Sequence, residues 1–160
     1  MRKSLSALIV TVAMLFAVPS CSAQQSYTNQ QQNFTVSVPG TVDESGSTTG
    51  NYAMQSFTAD QTLGVLVMSP NVKVPDTRAS VDGTDLSDLG ANGCQDTVYN
   101  GDFARVCSIS TSNPAHVKIT GKVWVCVHLG YEYIVAIIAS DGSLSASQVD
   151  YYLNSFVFVK

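Results

Sequence analysis

The sequence predicts an α+β sandwich: an antiparallel or mixed sheet of about six or seven strands with a C-terminal helix packed on one face. Three observations lead there. Short runs of strand formers recur between Gly, Pro and Asn turn signals. Two of these runs fold back on two-residue turns, Asn100-Gly101 and Leu129-Gly130. Near the C-terminus the apolar spacing becomes helical, at Val149, Tyr152, Leu153 and Phe156.

The stretch from Lys122 to Phe158 organises the rest. Lys122 to His128 alternates, with Val123, Val125 and Val127 on one side and Trp124, Cys126 and His128 on the other. Tyr131 to Ala139 is rich in strand formers. A two-residue loop at 129–130 sets Val125 against Ile134, Val123 against Ala136, Trp124 against Val135 and Cys126 against Tyr133. Both faces are then largely apolar, which predicts a central hairpin covered on both sides. Ser145 followed by Gln148 is a capping-box pattern. The helix therefore starts there and ends near Asn154, before a short closing strand over 155–159.

Upstream, Phe34 to Val38 alternates with Phe34, Val36 and Val38 inward, and Pro39-Gly40 closes it. Residues 41–50 read as a polar loop. Residues 51–58 and 62–69 read as two strands joined around 59–61, the second apolar enough to be central. Residues 70–92 carry Pro70, Pro75 and several aspartates, and suggest one short helix over 84–89.

Residues 95–110 form the second hairpin. Around the Asn100-Gly101 turn, Tyr99 faces Asp102, Val98 faces Phe103, Asp96 faces Arg105 and Cys94 faces Cys107. This register makes Cys94 and Cys107 a non-hydrogen-bonded pair, whose Cα atoms approach to about 4.5 Å. That distance suits a disulfide. A Cys94–Cys107 bridge is expected, contributing roughly 3 kcal/mol by restricting the unfolded chain. Cys126 is left over and reads as a buried thiol.

The chain has 160 residues, 45% of them apolar and 12% charged, enough for one core and not for two. Residues 1–23 read as a secretory signal peptide, with Arg2 and Lys3 ahead of the apolar run from Leu5 to Val18. Two cleavage signals overlap. Cys21-Ser22-Ala23 suits ordinary signal peptidase; Val18-Pro-Ser-Cys21 resembles a lipobox and would leave a lipid on Cys21. Residues 24–33 read as a flexible polar linker and residues 34–160 as a single α+β domain. The expected location is periplasmic or extracellular, with the membrane engaged only through a lipid anchor at Cys21. Loss of Arg2 and Lys3 leaves six basic against twelve acidic side chains, a net charge of about −6. Such a chain does not suit nucleic acid or anionic lipid.

Candidate chemistry is sparse. His116 and His128 form no metal-binding spacing, and no Cys-x-x-Cys, phosphate-binding loop or nucleophile elbow occurs. Asp82, Asp85 and Asp88 lack the order and closing Glu of a calcium loop. No catalytic residue, metal site or cofactor is assigned. Trp124, Tyr133 and Tyr152 mark the place where a ligand pocket would open between sheet and helix, although aromatic residues so placed are commonly plain core.

Phe34-Thr-Val-Ser-Val-Pro-Gly40 early, with Tyr131-Glu-Tyr-Ile-Val135 and Tyr152-Leu-Asn-Ser-Phe-Val-Phe158 late, resembles the PsbP-like superfamily of exported proteins. Its best-known members are extrinsic subunits of photosystem II, and others are bacterial lipoproteins. The resemblance implies an antiparallel sheet flanked by helices, and an accessory role rather than catalysis. It carries over no functional residue, and the chain lacks the longer inserts of the photosynthetic members. The expectation is a non-enzymatic envelope protein that binds another protein or assembly. The alternatives are a small-ligand or lipid carrier and, third, a hydrolase whose site the sequence does not display.

Overall fold

The computed structural model describes residues 25–30, 33–38, 43–49, 52–59, 63–70, 73–75, 78–112, 115–140 and 144–159. Residues 1–23, which the sequence suggests are a signal peptide, and with them Cys21, lie outside the described residues. In chain order the strands are β1 (Gln25–Asn29), β2 (Phe34–Val38), β3 (Asp43–Thr49), β4 (Tyr52–Ala59) and β5 (Leu63–Pro70). Helix α1 (Arg78–Asp82) and a 3₁₀ turn (Ser87–Leu89) follow. Then come β6 (Ala91–Tyr99), β7 (Asp102–Ser112), β8 (Lys118–His128), β9 (Tyr131–Ser140), α2 (Ala146–Asn154) and β10 (Val157–Phe158).

The main sheet has seven antiparallel strands in the order β3-β4-β5-β9-β8-β7-β6. The β8–β9 hairpin lies at its centre with the expected register, including Val125 opposite Ile134 and Cys126 opposite Tyr133. It is apolar on both faces because both are covered. On one face Trp124, Cys126, Tyr133, Val135 and Ile137 meet Val149 and Leu153 of α2, Phe156, and Phe34 and Val36 of β2. On the other, Val123, Val125, Val127, Ile134, Ala136 and Ile138 meet Val81, Leu86 and Leu89. The segment from β5 to β6 supplies this second cover, because it must cross from mid-sheet to the far edge. Among the described residues, close approach is tightest at Gly121, where an added Cβ would lie 1.9 Å from the Ile137 carbonyl oxygen.

Helix α2 starts as the sequence predicts. Ser145 accepts from the Gln148 amide while the Gln148 side chain accepts from the Ser145 amide. Lys122 of β8 pairs with Asp150 and ties the helix to the sheet.

Four expectations need correction. Residues 25–29 are not a linker: β1 pairs with β2 along its length, from Gln25 opposite Val38 to Asn29 opposite Phe34. Backbone pairing asks nothing of the side chains, and Tyr27 adds a ring 6.3 Å from Phe34. Residues 43–49 are likewise not a loop but the edge strand β3, paired with β4. An edge strand tolerates Ser, Thr and Gly because it is bonded on one side only. The single helix expected over 84–89 is instead α1 at 78–82 and the 3₁₀ turn at 87–89. Finally, the closing strand is shorter than expected and joins β2 in a separate three-stranded sheet, β1-β2-β10.

Candidate functional site

The neighbouring strands β7 and β8 are antiparallel, so the β6–β7 and β8–β9 hairpins point the same way and both tips lie at one end of the sheet. On the face under α2 and β10, that end collects Tyr99, Asp102, Trp124, Cys126, His128 and Tyr133. Here His128 Nδ1 lies 2.6 Å from Asp102 Oδ2, each residue flanking its own turn. The imidazole also stacks on Phe158, with ring centres 3.8 Å apart and planes 6° from parallel. From sequence, His128 is a strand-end histidine beside a turn, ordinarily solvated or singly bonded, and Asp102 has no role beyond facing Tyr99; the structure shows the bonded case. The pairing follows from the β7–β8 register, which no turn or periodicity announces: continuing the Ala104–Cys126 pairing two residues towards the tips sets 102 opposite 128.

Behind the pair stands an aromatic layer. Tyr99 meets Trp124 edge-on at 4.1 Å, and Tyr133 meets Phe158 at 4.8 Å. Phe156 lies 5.4 Å from Trp124 and 6.1 Å from Tyr133. The pocket residues anticipated from sequence therefore take part in this cluster unequally. Trp124 and Tyr133 are buried together, and Phe156 and Phe158 fill the space over them; Tyr152 is half-buried on α2, packed against the cluster's margin. Burial pushes the phenols of Tyr99 and Tyr133 up to about 12, with the adjacent Cys126 thiol adding to the rise. Burial also raises Tyr152. Such phenols stay protonated at neutral pH and act as hydrogen-bond donors, not as bases.

The Asp–His pair has the orienting geometry of a catalytic dyad. Chemistry of that kind also needs a nucleophile within hydrogen-bond reach of the imidazole. Cys126 shares the face two residues along β8 but is wholly buried. No group of three His, Cys, Asp or Glu side chains among the described residues is arranged to hold a metal. His116 sits before β8, at the opposite end of that strand from His128.

The opposite face of the β6–β7 hairpin carries a charge cluster. Arg105 Nη2 lies 2.8 Å from Asp82 Oδ1 and Arg105 Nε 4.0 Å from Asp96 Oδ1, while Arg78 bridges Asp82 and Asp96. These pairs pin α1 to the sheet edge. Cys94 and Cys107 are joined by a disulfide across the same hairpin, with Cα atoms 4.0 Å apart. The register holds from Tyr99–Asp102 to Gln95–Val106 and then shifts by one residue. Gly93, at φ 60°, takes the first position of the bulge, with Cys94 second.

No family model and no curated protein matches the sequence. Solved structures do. The solution structure of cyanobacterial PsbP (CyanoP) from Synechocystis sp. PCC 6803 superposes with a TM-score of 0.65 at 10% identity, covering 91% of this chain and 99% of that one. A crystal structure from Bacteroides thetaiotaomicron VPI-5482 superposes with a TM-score of 0.58 at 8% identity. It covers 88% of this chain, which spans half the length of that protein. At such identities the likeness is one of fold, and its near-complete coverage of CyanoP shows that this chain has the PsbP-like fold.

Proposed function

We propose that the protein is an exported, non-catalytic accessory module that binds another protein or assembly in the cell envelope. The observation that carries this reading is the fold match, which runs over 91% of the chain and leaves almost none of CyanoP unmatched. The accessory role that the PsbP-like resemblance implies then has a whole domain to rest on. The filled aromatic layer supports the same reading. Phe156 and Phe158 occupy the space between sheet and helix that a carrier would give to its ligand. The Cys94–Cys107 bridge fits an oxidising compartment, and hence export.

Native mass spectrometry of the protein from its host envelope tests this. A stoichiometric complex with another protein supports the accessory role. A co-purifying small molecule would support the carrier instead. The intact mass, taken before and after reduction, decides the processing. An acylated Cys21 makes the module membrane-tethered; a start at Gln24 makes it free.

A further inference from the structure

The two hairpin tips at the same end of the sheet are an internal control for each other. Both are two-residue turns with positive φ at each central position: 49° and 91° at Asn100 and Gly101, 52° and 81° at Leu129 and Gly130. This geometry suits Gly, which has no Cβ, and Asn or Asp, which bond to the local backbone. Among the described residues, the non-glycines at positive φ are Asn33, Asn100, His116 and Leu129. Leucine is the apolar exception. It gains no burial in return, because Leu129 is 73% exposed. Residue 129 thus carries a backbone cost that burial against the described residues does little to offset.

The tip is held firmly. The Val74 amide donates to the Gly130 carbonyl at 2.8 Å. The Lys73 stem lies along the turn, its Cδ 3.7 Å from where a Gly130 Cβ would stand, and its ammonium is 5.5 Å from the centre of the Tyr131 ring. An apolar knob therefore stands on a fixed turn beside a cation, on a chain of formal net charge −4.

We propose that Leu129 anchors a protein–protein interface whose partner offers an apolar pocket bordered by carboxylates that meet Lys73. This rests on the accessory reading and narrows it to one end of the sheet. A lipid surface fits less well, since one leucine gives it little area to bury.

The test replaces Leu129 by the residue that the other tip uses. Leu129→Asn is expected to unfold at the same temperature as wild type or higher, and to lower the complexed fraction in solubilised host envelopes at least tenfold. Lys73→Glu should lower it several-fold. In a parallel experiment, benzoylphenylalanine placed at 129 is expected to give one discrete protein adduct on illumination in the host, and none when placed at 100. A lower unfolding temperature for Leu129→Asn would make the leucine structural and overturn the inference. Equal adducts from both tips, lipid adducts alone or no adduct would overturn it too. If wild type is complexed and Leu129→Asn stays complexed to the same extent, this interface falls and the accessory role stands. If wild type is free, both fall.

Discussion

The two hairpins of the main sheet reach the same geometry by opposite means. The β6–β7 hairpin lies at an edge. Most β6 side chains are exposed, Val98 to 69%, so it is held by local devices: an Asn-Gly turn, a disulfide, and ion pairs to α1. The β8–β9 hairpin lies at the centre and has neither an Asn-Gly turn nor a disulfide; one ion pair, Lys122–Asp150, joins it to α2. Its turn is Leu-Gly, and its one cysteine, Cys126, is buried and outside any disulfide. Apolar burial on both faces holds it instead. An edge strand gains little from burial and must be fixed by its own chemistry, whereas a central strand can tolerate a poor turn.

This difference can be broken most sharply at Gly121. Gly121→Ala would drive a methyl into the Ile137 carbonyl between two central strands, where neither backbone can move alone. The expected loss is about 4 kcal/mol or more, read as a fall in the denaturant midpoint. An alanine tolerated there would mean the centre is looser than its packing implies.

At the edge the corresponding lesion is covalent. Cys94→Ser with Cys107→Ser should cost about 2–3 kcal/mol, with α1 and the edge loosening first under hydrogen exchange. Equal loosening of β8 and β9 would mean that the hairpins are not independently held.

Exchanging the turns gives a smaller effect of opposite sign in the two places. Asn100→Leu should destabilise by about 1 kcal/mol, because leucine is disfavoured at positive φ. Leu129→Asn should be neutral or stabilising. Thermal denaturation of both variants checks the pair, and a loss of stability in both would show that Leu129 packs usefully after all.

The smallest effect at neutral pH comes from the aromatic layer. Tyr99 and Tyr133 have folded-state values raised from 10.0 to about 12. Below pH 10 they are neutral in both states and their contribution is complete. Between pH 10 and about 12 the unfolded chain ionises first, so stability falls. In Tyr133→Phe the thermal midpoint should decline less steeply over that window than in wild type. An unchanged slope would mean that burial of Tyr133 does not govern the alkaline loss.

The parts of this protein that the sequence alone determined are those whose cause is local or periodic. The Asn100-Gly101 turn places Cys94 near Cys107, although the bulge at Gly93 that shifts the register beside them is not legible in the sequence. Alternation from Lys122 to Ala139 placed the central hairpin in register. The Ser145–Gln148 capping box started α2, and its apolar spacing aimed Val149, Leu153 and Phe156 at the sheet. Tertiary structure decided what depends on a partner distant in the chain. The polar strands β1 and β3 exist because a neighbouring backbone bonds to them, which no property of their side chains announces. The Asp102–His128 pair exists because β7 and β8 bring their tips level. Phe158 closes the aromatic layer because β10 pairs with β2 across the far side of the chain rather than joining the main sheet. Hydrogen bonds between strands are blind to sequence, whereas turn chemistry and hydrophobic period are written in it.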